Sequence, residues 1–451
     1  MTETGKQFDT VIVGMGNTGL SCARFLSDRK IHFAMVDSRE KPPMQQAIKT
    51  DFPEVPLYTG EFNANLLCHA ETLLLSPGVS INEPAVIDAI NAGARVYGDI
   101  ELFCRNINSP VIAITGSNGK STVTTMVAEM ARTAGITVGV GGNLGPPALD
   151  LLKKPEPDLY ILELSSFQLE TVSSLNAVAA TILNISEDHM DRYSSLDEYI
   201  GAKSRIYNGN GVMILNLDDP NVSNMRREGR HITGFTLSEP GNNTYGIRTY
   251  SGTQWLVYGD EKIMLSSEVR IAGSHNIANA LAAIALGNVL QIPLDAIKQV
   301  LMNFPGLPHR CQKVAEFAGI TWINDSKGTN VGAACAAITG LAGNKNIVLI
   351  AGGDGKGADF SPLSAVAKKH LHAAVLIGRD GPRIKNVLQT CIPVTEAIDM
   401  KSAVAAAANL ARNGDVVLLS PACASYDMFN DYRARGDSFT QSVNKMAMHH
   451  G

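Results

Sequence analysis

The chain has 451 residues, of which 45% are hydrophobic and 18% charged, a composition typical of a soluble globular protein rather than a disordered or fibrous one. At roughly 100 to 200 residues per domain its length indicates two to four domains, and we expect three. A formal net charge of -5, from 38 basic and 43 acidic residues, argues against a broad basic surface for nucleic acid or anionic lipid.

The cysteines and the N-terminus indicate the compartment. Seven cysteines are scattered without any C-x-x-C pair, which argues against a disulfide framework and a zinc ribbon. The opening "MTETGKQFDT" lacks the pattern of a signal peptide, and no apolar run approaches the roughly 18 residues of a membrane span. We therefore expect a cytoplasmic enzyme.

The first hundred residues predict a Rossmann-like parallel sheet, because short apolar runs at 9–14, 32–37, 72–78 and 94–99 alternate with helical patterns. The first run enters "VIVGMGNTGL", in which Gly14, Gly16 and Gly19 match G-x-G-x-x-G, and Asp37 follows. This is close to the dinucleotide fingerprint and, taken alone, indicates an NAD-dependent enzyme. A UDP-sugar carries the same pyrophosphate, so both ligands remain open.

A second α/β series begins at 111–115 and leads into the loop "GSNGKST". The loop differs from a full P-loop because Ile114 stands where the first glycine belongs. Its backbone N–H groups and Lys120 still predict phosphate binding at the start of a helix, and the hydroxyl of Ser121 or Thr122 would reach Mg²⁺. The alternative is an ordinary glycine turn.

Acidic residues and a histidine follow the next strands of this series. Glu163 ends the apolar run "DLYILE", and His189 follows another with Asp188 and Asp191 beside it. At the carboxyl ends of parallel strands such groups suit a divalent cation, although solvated strand ends are the alternative. Lys203 lies on a predicted helix, and its sequence pattern alone predicts only a surface cation.

Residues 233 to 270 lose the helical pattern and predict hairpins on the rim of the second domain, followed by a helix from Asn276 to about Leu290. Asn276 and Asn279 share one face near the start of this helix. They could bind a base or ribose, although helix capping is the more common role of such residues.

Residues 304 to 310, "FPGLPHR", predict a hinge, after which apolar runs at 320–325, 346–353, 373–378 and 415–421 indicate a third α/β domain. Arg310 just past the hinge could reach a phosphate on the neighbouring domain. Lys356 and Ser420 follow strand ends and could bind a small carboxylate, with turn chemistry as the alternative. Two phosphate loops and these cations indicate an ATP-driven ligase, since a dehydrogenase gives the second loop no task.

The succession of "GSNGKST", "ELSSFQLE", "DHMDRY", "AKSRIY", "GSHNIANA", "GLPHR", "INDSKGTN", "GGDGK" and "LSPACAS" resembles the Mur ligases over nearly the whole chain. Within that family it is similar to the enzymes that add D-glutamate to UDP-N-acetylmuramoyl-L-alanine in peptidoglycan precursor synthesis. Asn17 and Gly328 depart from the residues expected there. The resemblance implies a UDP-substrate domain (1–98), a central P-loop ATPase-like domain (99–306) and a Rossmann-like C-terminal domain that closes on ATP and admits D-glutamate (307–451).

The resemblance also implies a set of site residues. Two Mg²⁺ ions would be held by Ser121, Glu163, His189 and a carbamylated Lys203, the last three acting with Lys120 in catalysis. ATP would contact Gly116, Ser117, Asn118, Gly119, Lys120, Ser121, Thr122, Asn276, Asn279, His309, Arg310 and Asp325. The UDP-linked substrate would contact Thr18, Asp37, Ser38, Arg39, Gly78 and Asn143. D-Glutamate would contact Lys327, Thr329, Lys356, Ser420 and Phe429.

We expect a monomer that binds only small molecules, with neither nucleic acid nor membrane as a partner. The nearest alternative is another Mur-type or a folylpolyglutamate-type ligase. An NAD-dependent oxidoreductase and a nucleotide-binding assembly protein without catalysis are the alternatives from other classes.

Overall fold

The structure is a computed structural model and describes residues 8–152, 155–271, 273–341, 343 and 345–448. It contains three sheets that follow one another along the chain, with five, nine and six strands. This arrangement confirms the predicted three-domain α/β fold. No helix among the described residues combines the length and apolar character that crossing a bilayer requires.

The first sheet is parallel, in the order β3-β2-β1-β4-β5. Its strands are β1 (Thr10–Val13), β2 (Phe33–Asp37), β3 (Leu57–Thr59), β4 (Thr72–Leu75) and β5 (Arg95–Tyr97), and its helices are α1 (Asn17–Asp28), α2 (Gln45–Asp51), α3 (Ala64–Cys68) and α4 (Pro84–Asn91). Helix α5 (Asp99–Cys104) leads into the second domain.

The second sheet has the order β14-β13-β12-β11-β10-β9-β6-β8-β7. Its strands are β6 (Val111–Thr115), β7 (Val138–Gly142), β8 (Leu159–Glu163), β9 (Ala179–Ile182), β10 (Val212–Asn216), β11 (Ile232–Phe235), β12 (Thr244–Tyr250), β13 (Thr253–Tyr258) and β14 (Glu261–Leu265). Its helices are α6 (Lys120–Thr133), α7 (Ser166–Leu169), α8 (Leu196–Ser204), α9 (Pro220–Ser223), α10 (Ser274–Val289) and α11 (Leu294–Asn303). Antiparallel pairing of β12, β13 and β14 confirms the predicted hairpin rim.

The third sheet has the order β15-β16-β20-β17-β18-β19 and is parallel except for the β15–β16 pair. Its strands are β15 (Gln312–Phe317), β16 (Ile320–Asn324), β17 (Ile347–Gly352), β18 (Leu371–Ile377), β19 (Val394–Glu396) and β20 (Val416–Leu419). Its helices are α12 (Val331–Leu341), α13 (Pro362–His370), α14 (Gly381–Leu388), α15 (Met400–Leu410) and α16 (Tyr432–Ala447).

Burial on both faces explains why the central strands are apolar throughout. Every residue of β6 is buried, and Ile112 and Ile114 pack in the same hydrophobic cluster as the Ala-rich helix α10. Burying each such side chain stabilises the fold by roughly 1.5–3 kcal/mol. The loop after β6 is therefore anchored to a rigid strand on one side and to α6 on the other.

Candidate active site

A cavity of about 1070 Å³ lies where the three domains meet. It brings together most of the residues that the sequence predicts for the site. Its walls include Thr18, Asp37, Ser38, Arg39 and Gly78 from the first domain, Ser117, Asn118, Gly119, Lys120, Ser121, Asn143, Glu163, His189 and Lys203 from the second, and Arg310, Lys327, Thr329 and Lys356 from the third.

A second cavity, of about 630 Å³, adjoins the first at the loop after β6. Asn118, Gly119, Arg310 and Lys327 line both cavities, and four further predicted nucleotide residues line only the smaller one, namely Thr122, Asn276, Asn279 and Asp325. Helix α10 begins after Gly273 without a side-chain cap. The absence of a side-chain cap favours the binding role of Asn276 and Asn279 over the capping role. The two side chains also contact each other, since Asn279 Nδ2 donates to Asn276 Oδ1 across 3.2 Å.

The loop after β6 requires glycine at both ends. Gly116 has φ 151° and Gly119 has φ 84°, in the region that favours glycine. A Cβ on Gly119 would lie 2.4 Å from Asn279 Oδ1, so the loop packs directly against α10. Lys120 folds back over the loop and its Nζ donates to the carbonyls of Gly116 (2.8 Å) and Ser117 (3.0 Å). Burial lowers the pKa of Lys120, while Glu163 and Asp188 act in the opposite direction.

The segment after β9 holds the loop after β6 through hydrogen bonds, a role that the sequence did not indicate. Asn118 N donates to Asn184 Oδ1 (2.8 Å), and Ser117 Oγ donates to the carbonyl of Ser186 (2.9 Å). Asparagine and serine near a strand end are common in turns, so nothing in their identity pointed to this support. The backbone of the loop after β6 is therefore held in place by hydrogen bonds within the protein.

Two of the residues expected to hold Mg²⁺, Glu163 and His189, have the chemistry to bind a cation. Glu163 is 2% exposed; one carboxylate oxygen accepts a hydrogen bond from Asn143 Nδ2, and the buried Oε2 has no hydrogen-bond partner. An unpaired buried carboxylate oxygen is costly, and a metal ion would satisfy it. Burial lowers the pKa of His189 to about 4, so its imidazole is neutral near pH 7 and has a free lone pair.

These two residues do not complete a metal site. The described part of the chain contains no group of three or more His, Cys, Asp or Glu side chains that could hold a metal ion. Further oxygen donors must come from hydroxyl groups, from the ligand or from a modified side chain. Ser121, in the first turn of α6, lines the same cavity as Glu163 and His189, and its Oγ accepts a hydrogen bond from Arg310 Nη2.

Lys203 corrects the expectation of a surface cation. It is 1% exposed, and its Nζ donates to Thr115 Oγ1 (3.2 Å) and to the carbonyl of Gly116 (3.1 Å). Burial lowers its pKa well below the usual range, and the charge of Lys120 acts in the same direction. The sequence of α8 is only weakly amphipathic, which is why it did not reveal that this face packs against the loop.

Asp37, the last residue of β2, lines the first-domain part of the cavity. Asp37 is 2% exposed and accepts hydrogen bonds from Met15 N (2.7 Å) and Arg39 Nη2 (2.7 Å). Burial alone raises its pKa, but these hydrogen bonds outweigh burial and hold the pKa below the usual value. A Cβ on Gly19 would lie 2.0 Å from the carbonyl of Gly14, so the third glycine of the fingerprint allows α1 to pack closely on the loop.

The third domain contributes cations. Burial lowers the pKa of Lys327 to about 8, with Arg310 and Lys120 acting in the same direction, and its Nζ lies 4.3 Å from the centre of the Tyr432 ring. Lys356 forms an ion pair with Asp188 of the second domain. These cations face the loop after β6 across the larger cavity.

Four predicted residues are not on either cavity wall, namely Gly116, His309, Ser420 and Phe429. Ser420 is 0% exposed and its hydroxyl donates to Asp325 Oδ2 (2.7 Å), while Phe429 packs against the hydrophobic cluster around Trp322. The His309 ring is turned toward Asn324, whose Nδ2 lies 3.1 Å from Nδ1.

The chain stays buried from Ser420 to Ser425 after β20, and this explains the correction. Ser425, Tyr426 and Tyr432 line the cavity where Ser420 and Phe429 were expected. The motif "LSPACASYD" offers two serines, and only the path of the backbone distinguishes them.

Domain profiles match most of the chain. Residues 8–98 match the MurD-like N-terminal domain of Mur ligases, residues 114–287 the Mur ligase middle domain, and residues 309–423 the glutamate ligase domain of Mur ligases. Two curated relatives, both named UDP-N-acetylmuramoylalanine--D-glutamate ligase, come from Nitrosococcus oceani and Pseudomonas syringae pv. tomato. The first is 52% identical over 437 residues, covering 97% of this chain and 96% of the relative. The second is 49% identical over 435 residues, covering 96% and 97%.

Solved structures share the fold at low sequence identity. The UDP-N-acetylmuramate-alanine ligase MurC of Thermotoga maritima superposes with a TM-score of 0.58 at 17% identity, covering 98% of this chain and 100% of that one. MurF ligase of the same organism, solved in complex with ADP, superposes with a TM-score of 0.59 at 14% identity, covering 99% and 98%.

Proposed function

The chain belongs to the Mur ligase family, and from that premise we propose that it joins D-glutamate to UDP-N-acetylmuramoyl-L-alanine and converts ATP to ADP and phosphate. The observation that carries the proposal is the larger cavity, which runs from the glycine loop of the first domain past Lys120 and Glu163 to Lys356. The relatives' shared name specifies the amino acid and the acceptor.

The reaction needs a carboxylate to be activated before it can form an amide. A carboxylate oxygen of the alanine attacks the γ-phosphorus, and the bond from that phosphorus to the ADP oxygen breaks. The amine of D-glutamate then attacks the acyl carbon, phosphate leaves, and the protons released from nitrogen pass to solvent. Water would hydrolyse the acyl phosphate, which gives the C-terminal domain a reason to close over the cavity.

The chain's own residues would position the nucleotide. The backbone N–H groups at the start of α6 and the ammonium of Lys120 would hold the phosphates, while the N–H groups of Ser117 and Asn118 stay bonded to Asn184. The smaller cavity, with Asn276 and Asn279 on α10 and Asp325 opposite, takes the adenosine. Because Gly119 and Arg310 line both cavities, the γ-phosphate would lie at their junction.

Mg²⁺ suits the donors Ser121, Glu163 and His189, and the proposed number of ions is two. When bound, the ions would neutralise charge on the phosphates and the substrate carboxylate. Asn143 would orient the Glu163 carboxylate through its hydrogen bond and leave Oε2 facing the cation.

We propose that Lys203 carries a carbamate. Its neutral amine can attack the carbon of CO₂, forming an N–C bond and releasing one proton, and the product is an anionic oxygen donor. Burial supports this reaction, because it lowers the pKa of the amine and so favours its uncharged, nucleophilic form. The position of Lys203 beside Thr115 and Gly116 would direct the carbamate toward the phosphate loop.

D-Glutamate would bind at the C-terminal end of the cavity. Thr329 and Lys356 stay in this subsite, together with Lys327 beside them, and Ser425, Tyr426 and Tyr432 replace Ser420 and Phe429. Thr18, Asp37, Ser38, Arg39 and Gly78 would contact the UDP group at the opposite end.

The proposed domain boundaries are 1–98, 99–306 and 307–451, supported by the last strand of the first sheet at Tyr97 and the first strand of the third sheet at Gln312. Monomeric state and cytoplasmic location stay predictions. The oxidoreductase alternative gives the loop after β6 and the C-terminal cations no role.

The test is ADP formation by the purified protein with ATP, Mg²⁺ and UDP-N-acetylmuramoyl-L-alanine, against a panel of D- and L-amino acids. We expect release of ADP to depend on D-glutamate. Turnover that depends on another amino acid, or on a folate substrate with L-glutamate, would select another ligase of the same class. No ADP with any combination would contradict the proposal.

A further inference from the structure

Asp188 and Lys356 form an ion pair across the larger cavity, between the second and third domains. The two side chains are only 10% and 17% exposed, yet both line the cavity wall. Thr329 and Ser425 line the same end of the cavity. A buried anion and a buried cation therefore face the place where the amino acid is expected.

We propose that Asp188 and Lys356 together recognise the zwitterion of the incoming amino acid, Lys356 through a carboxylate and Asp188 through the ammonium group. The inference rests on the proposed function and deepens it, because it assigns a partner to the substrate's positive charge. The amino acid inserts between the two side chains and replaces one ion pair with two.

The charges on the cavity wall single out Asp188 for this role. Among the described residues, the other carboxylates on this wall are Asp37 and Glu83, which belong to the first domain, and Glu163, whose unpaired Oε2 the proposed function assigns to Mg²⁺. Lys356 alone would attract any anion, including dicarboxylates without an amine. A second, negative group beside it is needed to select an amino acid.

Asp188 keeps its orientation independently of Lys356. Asn330 is 4% exposed, and its Nδ2 donates to Asp188 Oδ2 (3.2 Å) and to Asn118 Oδ1 (3.2 Å). The backbone N–H of His189 also donates to Asp188 Oδ1 (3.0 Å). With the carboxylate fixed in this way, the flexible side chain of Lys356 can turn toward the substrate while Asp188 stays in place.

Exchange of partners conserves charge inside the cavity. A zwitterionic head brings one positive and one negative group, so neither Asp188 nor Lys356 is left unpaired when it binds. Glutarate has the two carboxylates of glutamate but no ammonium, and would bring a carboxylate against Asp188 without compensation. The pair should therefore prefer D-glutamate over glutarate.

The test compares D-glutamate and glutarate on the full chain, with UDP-N-acetylmuramoyl-L-alanine and a non-hydrolysable ATP analogue present. Dissociation constants are measured by calorimetry for the wild type and for Asp188→Asn, Asp188→Glu and Asn330→Ala, with thermal unfolding to check folding. We expect Asp188→Asn to weaken D-glutamate ten- to a hundredfold, as loss of a charge-assisted hydrogen bond predicts, and to leave glutarate equal or tighter. Asp188→Glu should retain the preference, and Asn330→Ala should reduce it.

Equal weakening of both ligands by Asp188→Asn would mean that Asp188 only supports the structure and would overturn the proposal. Tighter binding of both D-glutamate and glutarate by Asp188→Asn would also overturn the proposal, because Asp188 would then only compete with the ligand carboxylate for Lys356. If Asp188→Asn does not fold, the other two variants decide. An unchanged preference for D-glutamate in both would show that the negative charge at position 188 is sufficient without positioning by Asn330. Loss of the preference in folded Asp188→Glu would overturn the proposal. If wild-type protein forms no ADP with D-glutamate but binds it with the stated preference, the proposed function fails and this inference stands.

Discussion

Arg310 Nη2 lies 2.6 Å from Ser121 Oγ, so a residue just past the hinge contacts the first turn of the helix that follows the phosphate loop. The contact joins the third domain to the second at the junction of the two cavities. A guanidinium at this position can neutralise charge on the γ-phosphate. Because Arg310 follows the hinge, the same contact can couple ATP binding to movement of the third domain.

Arg310→Ala is expected to lower kcat/KM for ATP by about ten- to a hundredfold, because it removes a charge-assisted hydrogen bond to phosphate. Arg310→Lys should recover part of the loss, since it keeps the charge without the planar fork. Arg383→Ala is the control, because Arg383 pairs with Asp380 within the third domain and is 49% exposed. Equal effects of the Arg310 and Arg383 substitutions would contradict the assignment.

Gly119→Ala tests how tightly the phosphate loop packs. A side chain at φ 84° is strained, and its Cβ would lie 2.4 Å from Asn279 Oδ1, so either the loop or the Asn279 side chain must shift. We expect the dissociation constant for ATP, measured by calorimetry, to rise at least tenfold.

Gly201→Ala, in α8, is the matched control, because nothing lies within 4 Å of the added atom. It should stabilise the protein by about 0.5–1 kcal/mol through helix propensity and leave ATP binding as it was. Tight ATP binding by Gly119→Ala would show that the loop does not depend on this packing.

The sequence predicted the parallel strands and the glycine-containing loop between β6 and α6, because both depend on local patterns: apolar runs, and glycines followed by a lysine and hydroxyl residues. Four strands were missed for local reasons as well. Strands β3 and β19 have three residues, β7 is the glycine-rich "VGVGG", and β15 is an edge strand with three polar side chains.

The cavity wall was harder to predict, because it depends on how distant segments pack. The burial of Lys203 follows from the contact of α8 with the loop after β6. Ser425 and Tyr432, rather than Ser420 and Phe429, line the cavity because the chain that follows β20 is buried. Composition and periodicity describe neither.

Carbamylation of Lys203 has a spectroscopic test. Protein equilibrated with ¹³C-labelled CO₂ should give a carbamate carbon signal by NMR that is lost in Lys203→Ala. Removing CO₂ from the buffer should lower turnover, because an anionic oxygen donor is lost from the metal site. Full turnover without CO₂ and without the signal would contradict the proposal.

Lys327 lines both cavities, so its charge can act on the ATP phosphates as well as on D-glutamate, and the pH dependence of ATP binding tests this role. Burial lowers its pKa to about 8, so its ammonium is charged near pH 7 and loses its proton as the pH rises through that value. ATP affinity should therefore fall above about pH 8 in the wild type and stay level in Lys327→Arg, whose guanidinium remains protonated.

The same group should affect stability in the opposite direction. Between its lowered pKa and the unfolded value of about 10.4, the unfolded chain binds more protons, so this contribution makes the free energy of unfolding rise with pH. Denaturant titrations of the wild type and Lys327→Arg across this window measure it. An identical pH profile of ATP affinity in the two proteins would exclude a role for the Lys327 charge.

The central claim is that the γ-phosphoryl group of ATP passes to the alanine carboxylate before the amide forms. The most direct measurement uses UDP-N-acetylmuramoyl-L-alanine with ¹⁸O in that carboxylate, together with D-glutamate, ATP and the purified protein, and analyses the released phosphate by mass spectrometry. The acyl phosphate route predicts one labelled oxygen in each phosphate formed. Unlabelled phosphate accompanying amide formation would contradict it.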